Sequence, residues 1–187
     1  MDSVYIKKVL DGSTDDFRYF IRKYKDMAFA VAISVVKNEF DAEDVVQESF
    51  LKAFRNLKSF KGKSEFKTWF YRIVINEAFR HNEKTKKDKF VAFEKDLPDT
   101  EDYTETFRGI EAGEQHVLVL ESLSKIPSKE SLALQLFYLD GYSLDEVGNL
   151  TGWTVANVKV ILHRARKHLL AVVNEQLNET IVPRVQF

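Results

Sequence analysis

The chain has 187 residues, a formal net charge of -1, 15 phenylalanines and no cysteine. This length holds one medium domain or two small ones, and the missing cysteines exclude disulfides and cysteine-based zinc sites. Near-neutral charge argues against attachment to nucleic acid by bulk positive potential, and neither a membrane-length apolar run nor a signal-peptide core is present, so a cytoplasmic protein without membrane insertion of its own is expected.

A start signal at Ser13 and Asp16 precedes Phe17, Phe20, Ile21, Tyr24, Met27, Ala28, Val31 and Val35, which recur at helical spacing. A second helix is predicted from Asp41, whose carboxylate can cap it, with Val46, Phe50, Ala53, Phe54 and Leu57 as its stripe. After a loop at 58–63, Ser64 opens a third helix with Phe66, Trp69, Phe70, Ile73 and Val74 inward. Three amphipathic helices with short connections make a compact bundle, assigned to residues 1–82.

Residues 83–113 lose periodicity: a basic run, KTKKDK, precedes the acidic, polar EKDLPDTEDYTET. Too little apolar surface is available there to offset the ordering entropy, so a flexible linker is expected. Residues 114–170 read as a four-helix unit. Val117, Leu118, Leu120 and Leu123 form one helix, stopped by Pro127. Ser128 caps another, with Leu132, Leu136, Phe137 and Leu139 inward and Gly141 at its end. Residues 171–187 form an extension of unknown role. The expected fold is all-α, two small helical domains joined by the linker.

The stretch from Gly141 to Leu170 is the most telling. Ser143 and Glu146 have the spacing of a capping box. Val147 and Leu150 give an apolar face, and Thr151-Gly152 breaks the helix at a tight turn. Thr154 caps the next helix, whose Val158, Ile161, Leu162, Ala165 and Leu169 face a core. The opposite face carries Asn157, Lys159, His163, Arg164, Lys167 and His168, and no acid occurs between Thr154 and Leu170. This is the pattern of a helix-turn-helix whose second helix enters the major groove. On these features alone, a helical hairpin with a solvated basic face remains the alternative.

Two segments carry a family resemblance. Asp41-Ala-Glu-Asp-Val-Val-Gln-Glu-Ser-Phe50, then Phe60-Lys-Gly and Phe66-Lys-Thr-Trp69-Phe-Tyr-Arg-Ile73 with Asn76, resemble the second conserved region of bacterial sigma factors. Thr154-Val-Ala-Asn-Val-Lys-Val-Ile-Leu-His-Arg-Ala-Arg-Lys167 resembles their fourth. With only a linker between, the chain is similar to the extracytoplasmic-function (ECF) group, over roughly Ser13 to Leu170.

The resemblance implies a specificity subunit rather than an enzyme. It would bind core RNA polymerase, at the largest-subunit clamp helices and the flap, together with promoter DNA, and an anti-sigma factor would restrain it. Asp41, Glu43, Asp44, Gln47, Glu48 and Phe50 match the polymerase-docking positions. Lys58, Phe60, Lys61, Lys63, Lys67, Tyr71, Arg72, Asn76 and Arg80 match the surface that recognises and melts the minus-ten element. There, cations can meet phosphates while aromatic planes hold unstacked bases. Helical phase assigns Trp69 to the core, which leaves Tyr71 and Phe60 as the better candidates for base contact, and Asn76 can hydrogen-bond either a base or a neighbouring helix. Thr154, Ala156, Asn157, Lys159, Val160, His163, Arg164 and Lys167 match the minus-thirty-five reader. Many relatives carry Ser-Arg where this chain has Val160-Ile161, so Val160 can meet a thymine methyl instead.

No P-loop, metal-ligand cluster or catalytic triad is seen, and no cofactor or metal is expected. His163 and His168 are assigned to phosphate contact. Two other classes fit parts of the pattern. A dimeric helix-turn-helix regulator would act without polymerase docking. A recombinase would need a nucleophile among clustered arginines, and Arg18, Arg22, Arg55, Arg72 and Arg80 do not supply that motif.

Overall fold

A computed structural model describes residues 1–85 and 121–181, with side chains as far as 177, and every regular element among these is helical. The expected helix around Val117, Leu118 and Leu120, and all but the first three residues of the expected linker, lie outside the described residues.

The chain opens with α1 (Asp2–Leu10), which hydrophobic periodicity did not announce because Val9 is its one buried residue. Polar contacts hold it instead. The Asp2 carboxylate accepts hydrogen bonds from the Tyr19 hydroxyl at 2.7 Å, Lys23 Nζ at 2.5 Å and the Tyr24 hydroxyl at 2.5 Å. The Tyr5 ring stacks on Tyr19 with centroids 3.9 Å apart. Burial pushes the Asp2 pKa up, but those three donors outweigh it and hold the carboxyl below its ordinary value.

A 3-10 turn (Thr14–Phe17) leads into α2 (Arg18–Val36), which Lys37 closes in the left-handed region at φ 62°. Helix α3 (Glu39–Asn56) starts two residues before Asp41, and its cap is Asn38. The Asn38 backbone is extended, and its side-chain oxygen accepts the Asp41 N–H at 3.0 Å. Asp41 is thus inside the first turn, where its charge complements the helix dipole. Helix α4 (Phe66–Thr85) begins later than Ser64 predicts and runs past residue 82.

The core of this first bundle is aromatic. Phe20 lies 4.2 Å from Phe66, and Phe50 lies 4.6 Å from Phe70, centroid to centroid. Phe20 and Phe70 are completely buried. Ile21 and Phe54, expected inward, sit at the margin of their stripes and remain 39% and 38% exposed.

The second half begins, among the described residues, with a helical stretch at 121–125. Pro127 rather than Ser128 precedes α5 (Ser128–Leu134), and the Ser128 hydroxyl donates instead to the Val35 carbonyl at 2.6 Å. Helix α5 continues as a π turn (Gln135–Leu139). The wider turn shifts the helical phase. Leu132 and Leu136 are fully buried, and Leu139 at the end of the π turn, expected inward, is 53% exposed.

Helix α6 (Leu144–Thr151) carries the complete capping box: Ser143 N–H donates to Glu146 Oε2 at 2.8 Å, and Glu146 N–H to Ser143 Oγ at 3.3 Å. Gly152 ends it at φ 78°, a conformation that suits glycine. The turn is tight, because a Cβ on Gly148 would lie 2.8 Å from the Trp153 carbonyl oxygen. Gly148→Ala is expected to destabilise the protein by about 1–3 kcal/mol through overpacking, measured by denaturant titration. An unchanged midpoint would show that the turn yields freely.

Helix α7 (Val155–Ile181) buries Val158, Leu162 and Ala165 and runs into the extension for which the sequence offered no role. There Val172 and Val173 are buried, and Ser122 Oγ donates to Gln176 Oε1 at 2.6 Å. The extension thus ties the far part of α7 back to the helical stretch at 121–125.

The halves pack on each other. Lys37 Nζ reaches the Leu123 carbonyl at 2.6 Å, and Asn82 Nδ2 donates to the Val35 carbonyl at 2.9 Å and to Ser128 Oγ at 3.2 Å.

Candidate nucleic-acid interface

Three surfaces gather the residues singled out by the sequence. The first is the outer face of α3. Glu43, Asp44 and Gln47 are exposed and Glu48 is half-buried. Asp41 is half-buried, with His81 Nε2 3.8 Å from its carboxylate. Phe50 is only 7% exposed and packs on Phe70, so its part is to hold the helix rather than to present a surface. The sequence reading overlooked Phe40, which is 80% exposed in the first turn of α3 beside these acids. An apolar residue just ahead of a helix stripe gives no periodic signal.

The second surface is the loop after α3 together with the first turns of α4. Lys58, Lys61 and Lys63 are exposed. Phe60 is half-buried on Trp69, centroids 5.1 Å apart. An open cleft of about 810 Å³ runs beneath this loop, and Lys23, Tyr24, Phe60, Phe66, Lys67 and Tyr71 line it together with Asp2 and Asp140.

Tyr71 corrects the sequence expectation. It is 1% exposed, and its hydroxyl donates to Asp140 Oδ2 at 3.0 Å. Trp69, assigned to the core by phase, is half-buried instead. The roles exchange because the second half covers the side of α4 that carries Tyr71. Arg72 also turns toward that half, donating from Nε to the Asn149 carbonyl at 3.1 Å. Asn76 is exposed further along α4.

Arg80 is held by Glu77, which also takes Lys52. Glu77 is 4% exposed. Burial raises its pKa, but the bonds from Arg80 and Lys52 prevail and leave it lowered. The stability it contributes is present above its ordinary pKa of 4.5 and lost as pH falls through the lower native value. Glu77→Gln is therefore expected to lower Tm at pH 7, with the gap to the parent closing in strong acid. A gap constant across a pH series of thermal melts would contradict this.

Charge and burial are coupled in the cleft. Burial, then the Asp140 charge, pushes the Tyr71 hydroxyl far above its ordinary range. Burial also raises the Asp140 carboxyl, against the bonds from Tyr71 and Gln135 and the nearby Lys67 charge. Tyr24 is pushed up to about 12 by burial and by its bond to Asp2. Lys67 Nζ lies 5.7 Å from the Tyr71 ring centroid and 5.4 Å from that of Tyr142. Lys23 and Tyr24 were not foreseen here. They come from α2, and only packing brings them beside the loop.

The third surface is α7. Thr154 Oγ1 accepts the Asn157 N–H at 3.2 Å and so caps the helix. Thr154, Ala156, Asn157, Lys159, His163 and Arg164 are exposed, Val160 is 46% exposed, and Lys167 is half-buried. His168 departs from its expected phosphate role: its Nδ1 lies 2.5 Å from Glu130 Oε2, on α5. The result is a contiguous outer face with donors, no acid and two aliphatic residues, Ala156 and Val160, which suits base edges and phosphates in a major groove.

Comparison with known proteins matches both halves. The pattern described as Sigma-70 region 2 fits residues 20–87, and that described as Sigma-70, region 4 fits residues 116–169. The chain is 32% identical over 174 residues to the ECF RNA polymerase sigma factor SigW of Bacillus subtilis, covering 88% of this chain and 92% of the relative. It is 29% identical over 176 residues to the ECF RNA polymerase sigma-E factor of Haemophilus influenzae, covering 89% and 92%. Among solved structures, CnrH in complex with the cytosolic domain of CnrY has a TM-score of 0.62 at 21% identity, over 92% of this chain and 96% of that one. The sigma factor RpoE of Bartonella quintana, in complex with the anti-sigma factor NepR, has a TM-score of 0.60 at 21% identity, over 85% and 97%.

Proposed function

The chain belongs to the ECF sigma factors of bacterial RNA polymerase, and from that membership we propose how its surfaces divide the work of promoter recognition. As an RNA polymerase sigma factor it acts in DNA-templated transcription initiation, in a family of non-enzymatic initiation factors. Among the described residues no helix is long and apolar enough to cross a membrane.

In this proposal residues 1–82 dock on polymerase and handle the minus-ten element, and 114–170 read the minus-thirty-five element. The α3 face, with Asp41, Glu43, Asp44, Gln47 and Glu48, meets the clamp helices of the largest subunit. Lys58, Phe60, Lys61, Lys63 and Lys67 hold the opened strand, with Arg72, Asn76 and Arg80 further along α4. The exposed α7 face from Thr154 to Lys167 lies in the major groove. An anti-sigma protein is the proposed restraint, as one like fold, the sigma factor RpoE, was solved with an anti-sigma factor.

The observation that carries this reading is the acid-free outer face of α7, on a helix capped by Thr154 and set by a Gly152 turn. Charge attraction and base readout both need such a face, whereas a solvated hairpin would mix signs. The test is run-off transcription with purified core polymerase on a promoter library, with and without the chain. Specific starts that depend on the chain support the proposal. Palindromic duplex binding without polymerase dependence would instead favour a dimeric regulator.

A further inference from the structure

Three donors from α2 meet at one carboxylate beside the cleft. The Asp2 Oδ1 accepts from the Tyr19 hydroxyl at 2.7 Å and from Lys23 Nζ at 2.5 Å, and Oδ2 accepts from the Tyr24 hydroxyl at 2.5 Å. Lys23 Nζ also donates to the Tyr19 hydroxyl at 3.1 Å, so the donors are tied to one another as well as to Asp2.

Donors and acceptor are held very differently. Phe20, Tyr24, Ala28 and Val31 anchor α2 in the core. Helix α1 buries only Val9, at its far end, and Met1 and Val4 near Asp2 are exposed. The seat is therefore fixed, while its occupant belongs to a lightly held helix. A phosphodiester presents two non-bridging oxygens on one charged group, as a carboxylate does, and charge-assisted bonds suit either. Asp2, Lys23 and Tyr24 line the same cleft as Phe60 and Lys67. Lys23 also borders a second groove with Arg18 and Arg22, so the seat stands on a path and not at a closed end.

We propose that Tyr19, Lys23 and Tyr24 form a seat for one backbone phosphate of the opened strand, and that Asp2 fills this seat until the strand arrives. The phosphate takes the place of the carboxylate, and the first turn of α1 moves aside with its acid. Such a contact carries no base information but fixes the register of the strand against the loop at 58–63. This inference rests on the minus-ten reading of the cleft.

Binding is measured with the chain assembled on core polymerase, on forked promoter DNA that carries one methylphosphonate, a neutral linkage, at each position of either strand in turn. At one linkage the neutral group is expected to cost the parent about tenfold in affinity, the loss of a charge-assisted bond, and to cost Lys23→Ala less than about twofold. Tyr24→Phe should lose sensitivity at that same linkage. Lys25→Ala, an exposed lysine on the same helix, is the control for charge alone. Asp2→Ala should raise affinity for unmodified DNA severalfold, because the seat is vacated in advance.

A fall in affinity in Asp2→Ala, with its helical spectrum unchanged, would show that Asp2 stays in place to hold Lys23, and would overturn the seat. So would equal behaviour of Lys25→Ala and Lys23→Ala. Linkages that couple to Lys61→Ala or Lys63→Ala but not to Lys23→Ala would overturn the seat and leave the cleft reading intact. Linkages that couple to none of the three would overturn both. Calorimetric titration of the free Asp2→Ala chain with inorganic phosphate is the arm for a free ion. Heat that Lys23→Ala removes, without a coupled linkage, would assign the donors to a free anion and overturn the strand contact. If Asp2→Ala fails to fold, Asp2→Asn removes the charge at nearly constant size and carries the same expected gain, and a loss of affinity there overturns the proposal.

Discussion

Reversing Asp44 and Glu48 to lysine is expected to abolish assembly with core polymerase while leaving the fold intact. Helix α3 is held from its other side by Ala42, Val45, Ser49, Phe50 and Ala53, all buried. Asp44 is exposed and Glu48 half-buried, and neither is placed to cap the helix, a task that Asn38 performs. The fold therefore loses little. A docking surface loses much more, because like charges facing across an interface cost several kcal/mol and removing a buried charged partner costs about 2–5 kcal/mol. At 1.4 kcal/mol per tenfold, the lower end is already roughly thirtyfold in affinity. Normal co-elution of the double variant with core enzyme, with an unchanged helical spectrum, would sink the assignment. Phe40→Ala makes a sharper companion, since an exposed aromatic beside the acids is suited to be an interface hot spot.

The second large effect is expected on α7. Asn157 is exposed one turn beyond Thr154, and its side chain is free of capping because its backbone N–H makes the cap contact. Asn157→Ala should cost about 1–3 kcal/mol of promoter binding and relax preference at one base pair, the signature of a bidentate contact to a base edge. Lys159→Ala should weaken binding evenly across sequences and reduce the salt slope by about one, since a phosphate contact carries no direct base information. Binding selections on a randomised minus-thirty-five library at two salt concentrations separate the roles. A changed base preference in Lys159→Ala, or an even loss in Asn157→Ala, would reverse the division.

What the sequence made legible was what local chemistry decides. The capping box at Ser143 and Glu146, the Gly152 turn and the Thr154 cap were readable because each depends on residues within a few positions. The stripes through Phe20, Phe70, Leu132 and Leu162 were readable because burial imposes a helical period. Helix α1 was not, since polar contacts from Asp2 to Lys23 and Tyr24 hold it and such contacts leave no period. The shift of Leu139 outward came from a π turn that no residue there announces. Tyr71 and Trp69 exchanged roles because phase within α4 cannot say which side a distant half will cover. The site was legible in the same way: the α7 face could be read from one helix, whereas the cleft is assembled from α1, α2, α4 and the second half together.

The continuity of α7 makes insertions and deletions a sharper probe than substitutions. Asn157, the proposed reader, lies near one end of the helix, and Val173 is buried toward the other, about 24 Å away at 1.5 Å per residue. No joint among the described residues of this rod can absorb a change in length. One residue inserted between Lys167 and Val172 turns the buried end by about 100° relative to the reading face, so either the valines leave the core or the donors leave the groove. Seven inserted residues come back almost into phase and lengthen the rod by about 10 Å. Sequence drift along this helix can therefore alter which bases are read, but its length is quantised in near-whole turns, and homologues that bind DNA through it should differ there by substitution far more often than by indel.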